Sequence, residues 1–379
     1  MTTAPNAATD GTTPVTVVSG SLGAGKTTLL NGVLEAPGGR DIAVIVNDMG
    51  EVNVDAALLD RSTDDESGIV DLSNGCICCR LQDDLLTEAT RLAESRSFDA
   101  LVVESSGISE PIPVARTFLE GSDDSEIDPT DHYRLDTMVS VIDAYGFWKE
   151  FDAGASLPEE AEPDADRPLA DVLIEGIEFC DVLLLNKCDM VPDERLDEIE
   201  ATIRTLQPRA EIVRTTHSDV DPSHVIDTGR FDFAAATRAA GWKRALADEE
   251  SDGDHDGHDH GDGRPAAEAH GVSSFVYARE RAFHPERFDE WLDEWGGTVI
   301  RAKGVFRLAG REDVMGLNQA GPSVQAGPIG EWGEDDPRTR LVFIGTDLDE
   351  EAIVTGLDGC LLDDSDADRE ALADPFPTA

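Results

Sequence analysis

The sequence predicts an α/β fold, a mostly parallel sheet covered by helices on both faces, followed by a smaller α+β domain. Three observations predict it. Between residues 14 and 214, short apolar runs alternate with amphipathic stretches, the pattern of strands buried on both faces by crossover helices. A glycine-rich turn, GSLGAGKT at 20–27, joins the first apolar run to the first amphipathic stretch. A composition break at 248–271, DEESDGDHDGHDHGDGRPAAEAHG, carries almost nothing that could anchor it in a core and reads as a linker between domains.

The elements follow in order. Strands are expected at VTVVS (15–19), IAVIVN (42–47), ALVVES (100–105), MVSVID (138–143), VLLLN (182–186) and EIVRT (211–215), with helices near 26–34, 81–94 and 193–206. Each strand is a short β-branched or aliphatic run, and each helix has apolar residues at helical spacing. Two acidic stretches, 121–136 and 153–168, lack either period and are expected to be surface insertions. Beyond the linker, SSFVYARERAF, a helix at 285–295 and the strands VIRAKGVFRLA and TRLVFIGT make up the second domain. The expected division is a disordered N-terminus at 1–13, a first domain at 14–247, the acidic His-rich linker at 248–271, a second domain at 272–362 and a frayed acidic tail at 363–379.

Charge narrows the function. The 379 residues include 30 Lys and Arg against 80 Asp and Glu, a net charge of −50, and such a surface repels a phosphate backbone, so nucleic-acid binding is excluded. Carboxylate-rich, lysine-poor surfaces suit solubility in concentrated salt, where self-repulsion is screened; the charge is expected to reflect a halophilic source. No apolar run approaches the roughly 18 residues that cross a bilayer, and MTTAPNAATDGTTP lacks the regions of a signal peptide. The six cysteines, three of them packed into CICC, read as reduced thiols of a cytoplasmic protein.

The turn at 20–27 is GxxxxGKT in its required setting, strand before and helix after. Gly20, Gly23 and Gly25 let successive backbone N–H groups curl around phosphates, Lys26 neutralises the terminal phosphates, Thr27 offers its hydroxyl to Mg²⁺, and Thr28 opens the helix beside it. The first domain is therefore expected to be a P-loop NTPase domain. NKCD, with Asn186, Lys187 and Asp189, follows the apolar VLLLN at the edge where ligands collect in open α/β sheets. A carboxylate such as Asp189 can accept from both the ring N–H and the amine of guanine, and adenine has no such pair of donors. Glu104 closes ALVVES and is expected to hold Mg²⁺ through water and serve catalysis with Lys26, while the Gly107 amide would sense the γ-phosphate. GTP is the expected substrate.

DLSNGCICCR (71–80) sets Cys76, Cys78 and Cys79 between a strand and a helix. Thiolates at this spacing can share one soft or borderline cation such as Zn²⁺, Co²⁺ or Cu⁺. Cys180, Cys188 and Cys360 stand alone and read as core residues. Taken together, SGSLGAGKTTLL, NDMGEVNVD (47–55), DLSNGCICCRLQDDL, ESSGISEP (104–111), NKCD, FHPERF (283–288), RAKGVF (301–306) and LVFIGTDLDEEAI resemble the CobW-type GTPases, P-loop metallochaperones related to the nickel-insertion GTPases. The resemblance covers about residues 15–361. It implies GTP hydrolysis coupled to delivery of Zn²⁺ or Co²⁺ from the CxCC thiolates to a client metalloprotein or metal chelatase, with a CobW-like C-terminal domain that contacts the client. The family usually has Glu where Asp48 stands; Glu51 follows its pattern.

His255, His258 and His260 in DHDGHDH could gather the same cations loosely, since imidazoles alternate there with carboxylates. Two other functions fit parts of the chain: a metal buffer or sensor with GTP as a mere ligand, and a small-molecule P-loop kinase, which NKCD and CICC together disfavour. The sequence leaves the oligomeric state open.

Overall fold

The computed structural model describes residues 11–46, 69–71, 78–105, 111–121, 127–152, 169–233, 235–236, 272–293, 298–333, 336–363 and 372–378. Among the described residues, the strands form one parallel and one antiparallel sheet. The first contains β1 (Thr13–Ser19), β2 (Ile42–Val46), β3 (Ile69–Asp71), β4 (Ala100–Glu104), β5 (Tyr133–Asp143), β6 (Val182–Asn186) and β7 (Glu211–Arg214), in the order β3-β2-β4-β1-β5-β6-β7. Every pairing is parallel. Buried on both faces, β2, β4 and β6 are continuous apolar runs without the alternation of a half-exposed strand.

Helices α1 (Lys26–Glu35), α2 (Cys78–Ser95), α3 (Pro111–Glu120), α4 (Phe147–Asp152), α5 (Leu169–Glu178) and α6 (Asp193–Leu206) supply the crossovers. Leu29, Leu30 and Val33 of α1 pack on Val18, Val44 and Val102, while Leu85 and Ala89 of α2 and Val114 and Phe118 of α3 cover Val17, Ile45 and Val103 on the other face. A row across the sheet joins Val18, Glu104, Val46 and Asp71. The ends of β1, β2, β3 and β4 therefore open onto the same edge.

The second sheet holds β8 (Val272–Arg279), β9 (Val299–Phe306), β10 (Asp313–Ala320), β11 (Ser323–Glu331) and β12 (Thr339–Thr346), with α7 (Pro285–Asp293) and α8 (Glu350–Gly359). Its order is β11-β10-β9-β12-β8, with all neighbours antiparallel. One part of it buries Tyr277, Phe283, Phe288, Phe306 and Phe343 with Leu357. Ile300, Ala320, Val342 and Ile344 instead join Ile174, Ile177, Leu196 and Ile199 of α5 and α6 in a single core, so the two sheets share a hydrophobic seam. Within it, Arg301 is 1% exposed and its guanidinium meets both Glu178 oxygens at 3.0 and 3.2 Å. The same group donates to Asn318 Oδ1 at 2.8 Å and lies 3.9 Å from the buried Asp171.

Two expectations need correction. The stretch 121–136 is not wholly a surface insertion: β5 begins at Tyr133, whose buried ring sends its hydroxyl to Ala89 O at 2.6 Å. Buried Asp136 broke the apolar pattern, and it is satisfied by Thr137 Oγ1 at 2.7 Å and Gly229 N at 3.2 Å. The tail is not frayed throughout either. Phe376 is 6% exposed among the Phe288 and Phe306 rings, and Arg311 binds Asp374 Oδ2 at 2.5 Å and Phe376 O at 2.7 Å. One aromatic anchor and one arginine offset the entropy that made an acidic end look loose. Phe376→Ala is expected to destabilise the second domain by about 3 kcal/mol, read by chemical denaturation; a loss under about 0.5 kcal/mol would show that the ring is not anchored. The sequence reading also missed α3, α4, α5, α8 and the β10–β11 hairpin, whose β11 contains two glycines and a proline. The linker at 248–271, residues 1–10 and the stretch 153–168 lie outside the described residues.

Candidate functional site

The loop between β1 and α1 is shaped for an anion. Gly20, Gly23 and Gly25 have φ of 139°, 78° and 117°, a region where side chains are strained. At Gly20 a Cβ would also strike the Val141 carbonyl. Helix α1 starts at Lys26 after a left-handed Gly25 with no side-chain cap, so its first-turn amides face the loop. Lys26 is 6% exposed, with Nζ donating to Gly20 O at 2.9 Å and Ser21 O at 3.3 Å, which holds the ammonium inside the curl of the loop. Thr27 is half-buried and Thr28 exposed. Glu104 ends β4 at 3% exposure, beside Val18 in the ladder. A buried carboxylate at the mouth of a phosphate loop suits a cation site, and Glu104 with the Thr27 hydroxyl would hold Mg²⁺ there; bound, that ion would neutralise phosphate charge.

NKCD is joined to this loop through Asn186. Its Nδ2 donates to Ala24 O at 2.8 Å, and its Oδ1 accepts from Ser218 N at 2.8 Å and Thr215 Oγ1 at 3.1 Å. Ser218 Oγ in turn donates to Gly25 O at 3.0 Å. A Cβ on Gly25 would collide with the Asn186 amide and come within 2.6 Å of Ser218 Oγ, so glycine is required there for two reasons. Asn186 thus acts as a brace among three segments. Lys187 takes φ 62° and turns the chain into a 3₁₀ turn, Cys188–Met190, on which Asp189 is exposed.

Thr215 and Ser218 escaped the sequence reading. They lie just beyond β7 in TTHSD, where His217 and Ser218 both have positive φ, 55° and 52°. A polar stretch after an expected strand end was the signal available, and it has no period to distinguish it from an ordinary loop.

Cys180, Cys188 and Cys360 behave as core residues: burial pushes the Cys180 thiol up strongly, the Cys360 thiol to about 11 and the Cys188 thiol upward. All three sit in or against the core. Of the expected metal thiols, Cys78 and Cys79 open α2, directly after the segment that leaves β3. Cys76, Gly107, Asp48, Glu51, His255, His258 and His260 lie outside the described residues. Among the described residues no three His, Cys, Asp or Glu side chains group around a possible metal, and no helix is long and apolar enough to cross a membrane.

Comparison with known proteins fits this geometry. Residues 14–214 match the family model "CobW/HypB/UreG, nucleotide-binding domain", and residues 272–361 match "Cobalamin synthesis protein cobW C-terminal domain". The chain is 36% identical, over 93% of its own length and 80% of the relative's, to zinc-regulated GTPase metalloprotein activator 1 of Dictyostelium discoideum. It is 29% identical to the zinc chaperone YjiA of Escherichia coli strain K12, over 89% and 96% of the two chains. The crystal structure of Zn(II)-bound YjiA GTPase from E. coli covers 93% of this chain and 99% of its own at 23% identity and a TM-score of 0.42. With a phosphate loop, a braced NKCD strand and both family models matched in order, the chain belongs to the CobW/HypB/UreG family and carries its CobW C-terminal domain.

Proposed function

We propose that this GTPase is a metallochaperone: GTP and Mg²⁺ at the loop of 20–27 gate the loading and release of a transition metal at Cys76, Cys78 and Cys79, and the metal passes to a client metalloprotein. Lys26 and the loop amides hold the phosphates, Thr27 and Glu104 hold Mg²⁺, the Gly107 amide meets the γ-phosphate, and Asp189 reads guanine. Zinc is put first because the relatives above are named as zinc proteins; thiolate ligands accept Co²⁺ as well. The His255, His258 and His260 tract collects the ion weakly before transfer. The acid excess keeps the protein soluble in concentrated salt, and the reaction runs in the cytoplasm.

The observation that carries this reading is the row Val18, Glu104, Val46 and Asp71. It brings the strand that leads into CICC to the edge that carries the phosphate loop, which supports a coupling between the γ-phosphate and the thiolates. If GTP draws the thiolates together, it tightens metal binding, and by linkage the metal tightens GTP by the same factor. Zinc titrations under reducing conditions are expected to give an affinity about 5–150-fold higher with a non-hydrolysable GTP analogue than with GDP. The double variant Cys78→Ser, Cys79→Ser should erase that difference and leave metal-free GTP affinity unchanged. Equal zinc affinity with GTP analogue, GDP and no nucleotide would favour a metal buffer in which GTP is only a ligand.

A further inference from the structure

Asp143 closes β5 beside Asn186 in the ladder to β6, and its carboxylate does two things. Oδ2 accepts from Lys187 Nζ at 2.6 Å, and Oδ1 accepts from the backbone N–H of Tyr145 at 2.9 Å and Gly146 at 3.1 Å. The two side chains are 14% and 31% exposed, so the pair is shielded from most of the solvent. Its cation belongs to a turn that needs support. Lys187 is a non-glycine residue at φ 62°, in a region such residues occupy only when their surroundings hold them there. Cys188 N to Thr215 O at 3.1 Å and Met190 N to Lys187 O at 3.0 Å fix the turn's backbone; Asp143 fixes its side chain.

The chemistry of the turn makes that placement matter. Asp189, two residues on, is exposed and is the acceptor assigned to the guanine donors. In a chain with 80 acidic residues, a lysine ammonium released from Asp143 has Asp189 as a nearby alternative, and pairing there would occupy the oxygens that guanine needs. We propose that Asp143 is a positioning residue of the guanine site: it anchors the Lys187 ammonium, so that the left-handed turn presents Asp189 with its carboxylate open to the base. The inference rests on the GTP reading above.

Asp143→Asn is the informative change. An asparagine Oδ1 can still accept from Tyr145 and Gly146, so the turn after β5 survives, while the charge that holds Lys187 is lost. Measured on the full chain, this variant is expected to weaken GDP binding and raise KM for GTP about threefold to tenfold, with kcat changed less than twofold. Lys187→Met removes the competing ammonium together with its anchor, so it should cost less than Asp143→Asn, and the double variant should match Lys187→Met rather than the worse single one. Unchanged GDP affinity in Asp143→Asn, or single losses that multiply in the double variant, would overturn the proposal. So would a lowered unliganded melting temperature with intact GDP affinity, the mark of a purely structural role. If the unmodified chain binds ADP as well as GDP, the guanine reading fails; the same cycle run with ADP then still decides whether Asp143 acts through Lys187.

Discussion

Lys26→Ala is expected to cut GTP hydrolysis by about 10²–10³-fold or more, the cost of deleting a preorganised charge aimed at a transferring phosphoryl group. The ammonium is held inside the curl of the loop, 6% exposed, with the Gly20 and Ser21 carbonyls as acceptors. A charge fixed by the loop acts on the phosphoryl group as charge develops there, so the loss is expected in kcat. Folding should be little affected, because β1 and α1 are held by Val18, Leu29, Leu30 and Val33. Single-turnover hydrolysis with saturating GTP and Mg²⁺ is the measurement, and turnover within tenfold of the unmodified chain would remove Lys26 from the catalytic machinery.

Arg301→Ala is expected to destabilise the protein by about 3–5 kcal/mol, the cost of breaking a buried ion pair from one side. What remains in the seam are Glu178 and Asp171, buried carboxylates that have lost the shared guanidinium. The damage should not stay local. Glu178 ends the helix that precedes β6, and its carbonyl accepts Gln207 Nε2 at 2.6 Å, so loosening the seam should also weaken guanine-nucleotide binding. Replacing all three, Asp171→Leu with Glu178→Met and Arg301→Met, should recover most of the stability, since an apolar seam carries no desolvation penalty. Denaturant melts compare the two variants. An Arg301→Ala loss under about 1 kcal/mol would mean the seam is hydrated and the ion pair incidental.

The parts of the site that were legible in the sequence are those whose chemistry is local. GSLGAGKT announces itself because three glycines, a lysine and a threonine must occur at fixed spacing for backbone amides to wrap a phosphate. NKCD and Glu104 were found because each closes an apolar run, and strand ends in parallel sheets face the ligand edge. Other features depend on partners distant in sequence. Thr215 and Ser218 matter only because Asn186 and Gly25 meet them across 29 or more residues. Asp143 reads as an ordinary strand end until Lys187 arrives beside it. Asp136 interrupts the strand that contains it, because a buried carboxylate looks like surface unless Gly229 and Thr137 are known to satisfy it.

The sequence by itself determined the fold class of the first domain, the phosphate loop, the NKCD turn and the family, because apolar periodicity and short motifs are properties of neighbouring residues. Only the tertiary structure decided where 372–378 goes, that Asn186 braces the loop, and that the second sheet is fastened to α5 by Arg301. Each of these depends on burial: an arginine, an asparagine or a terminal phenylalanine reads as surface in the sequence, and becomes structural only when distant residues exclude water and supply its partners.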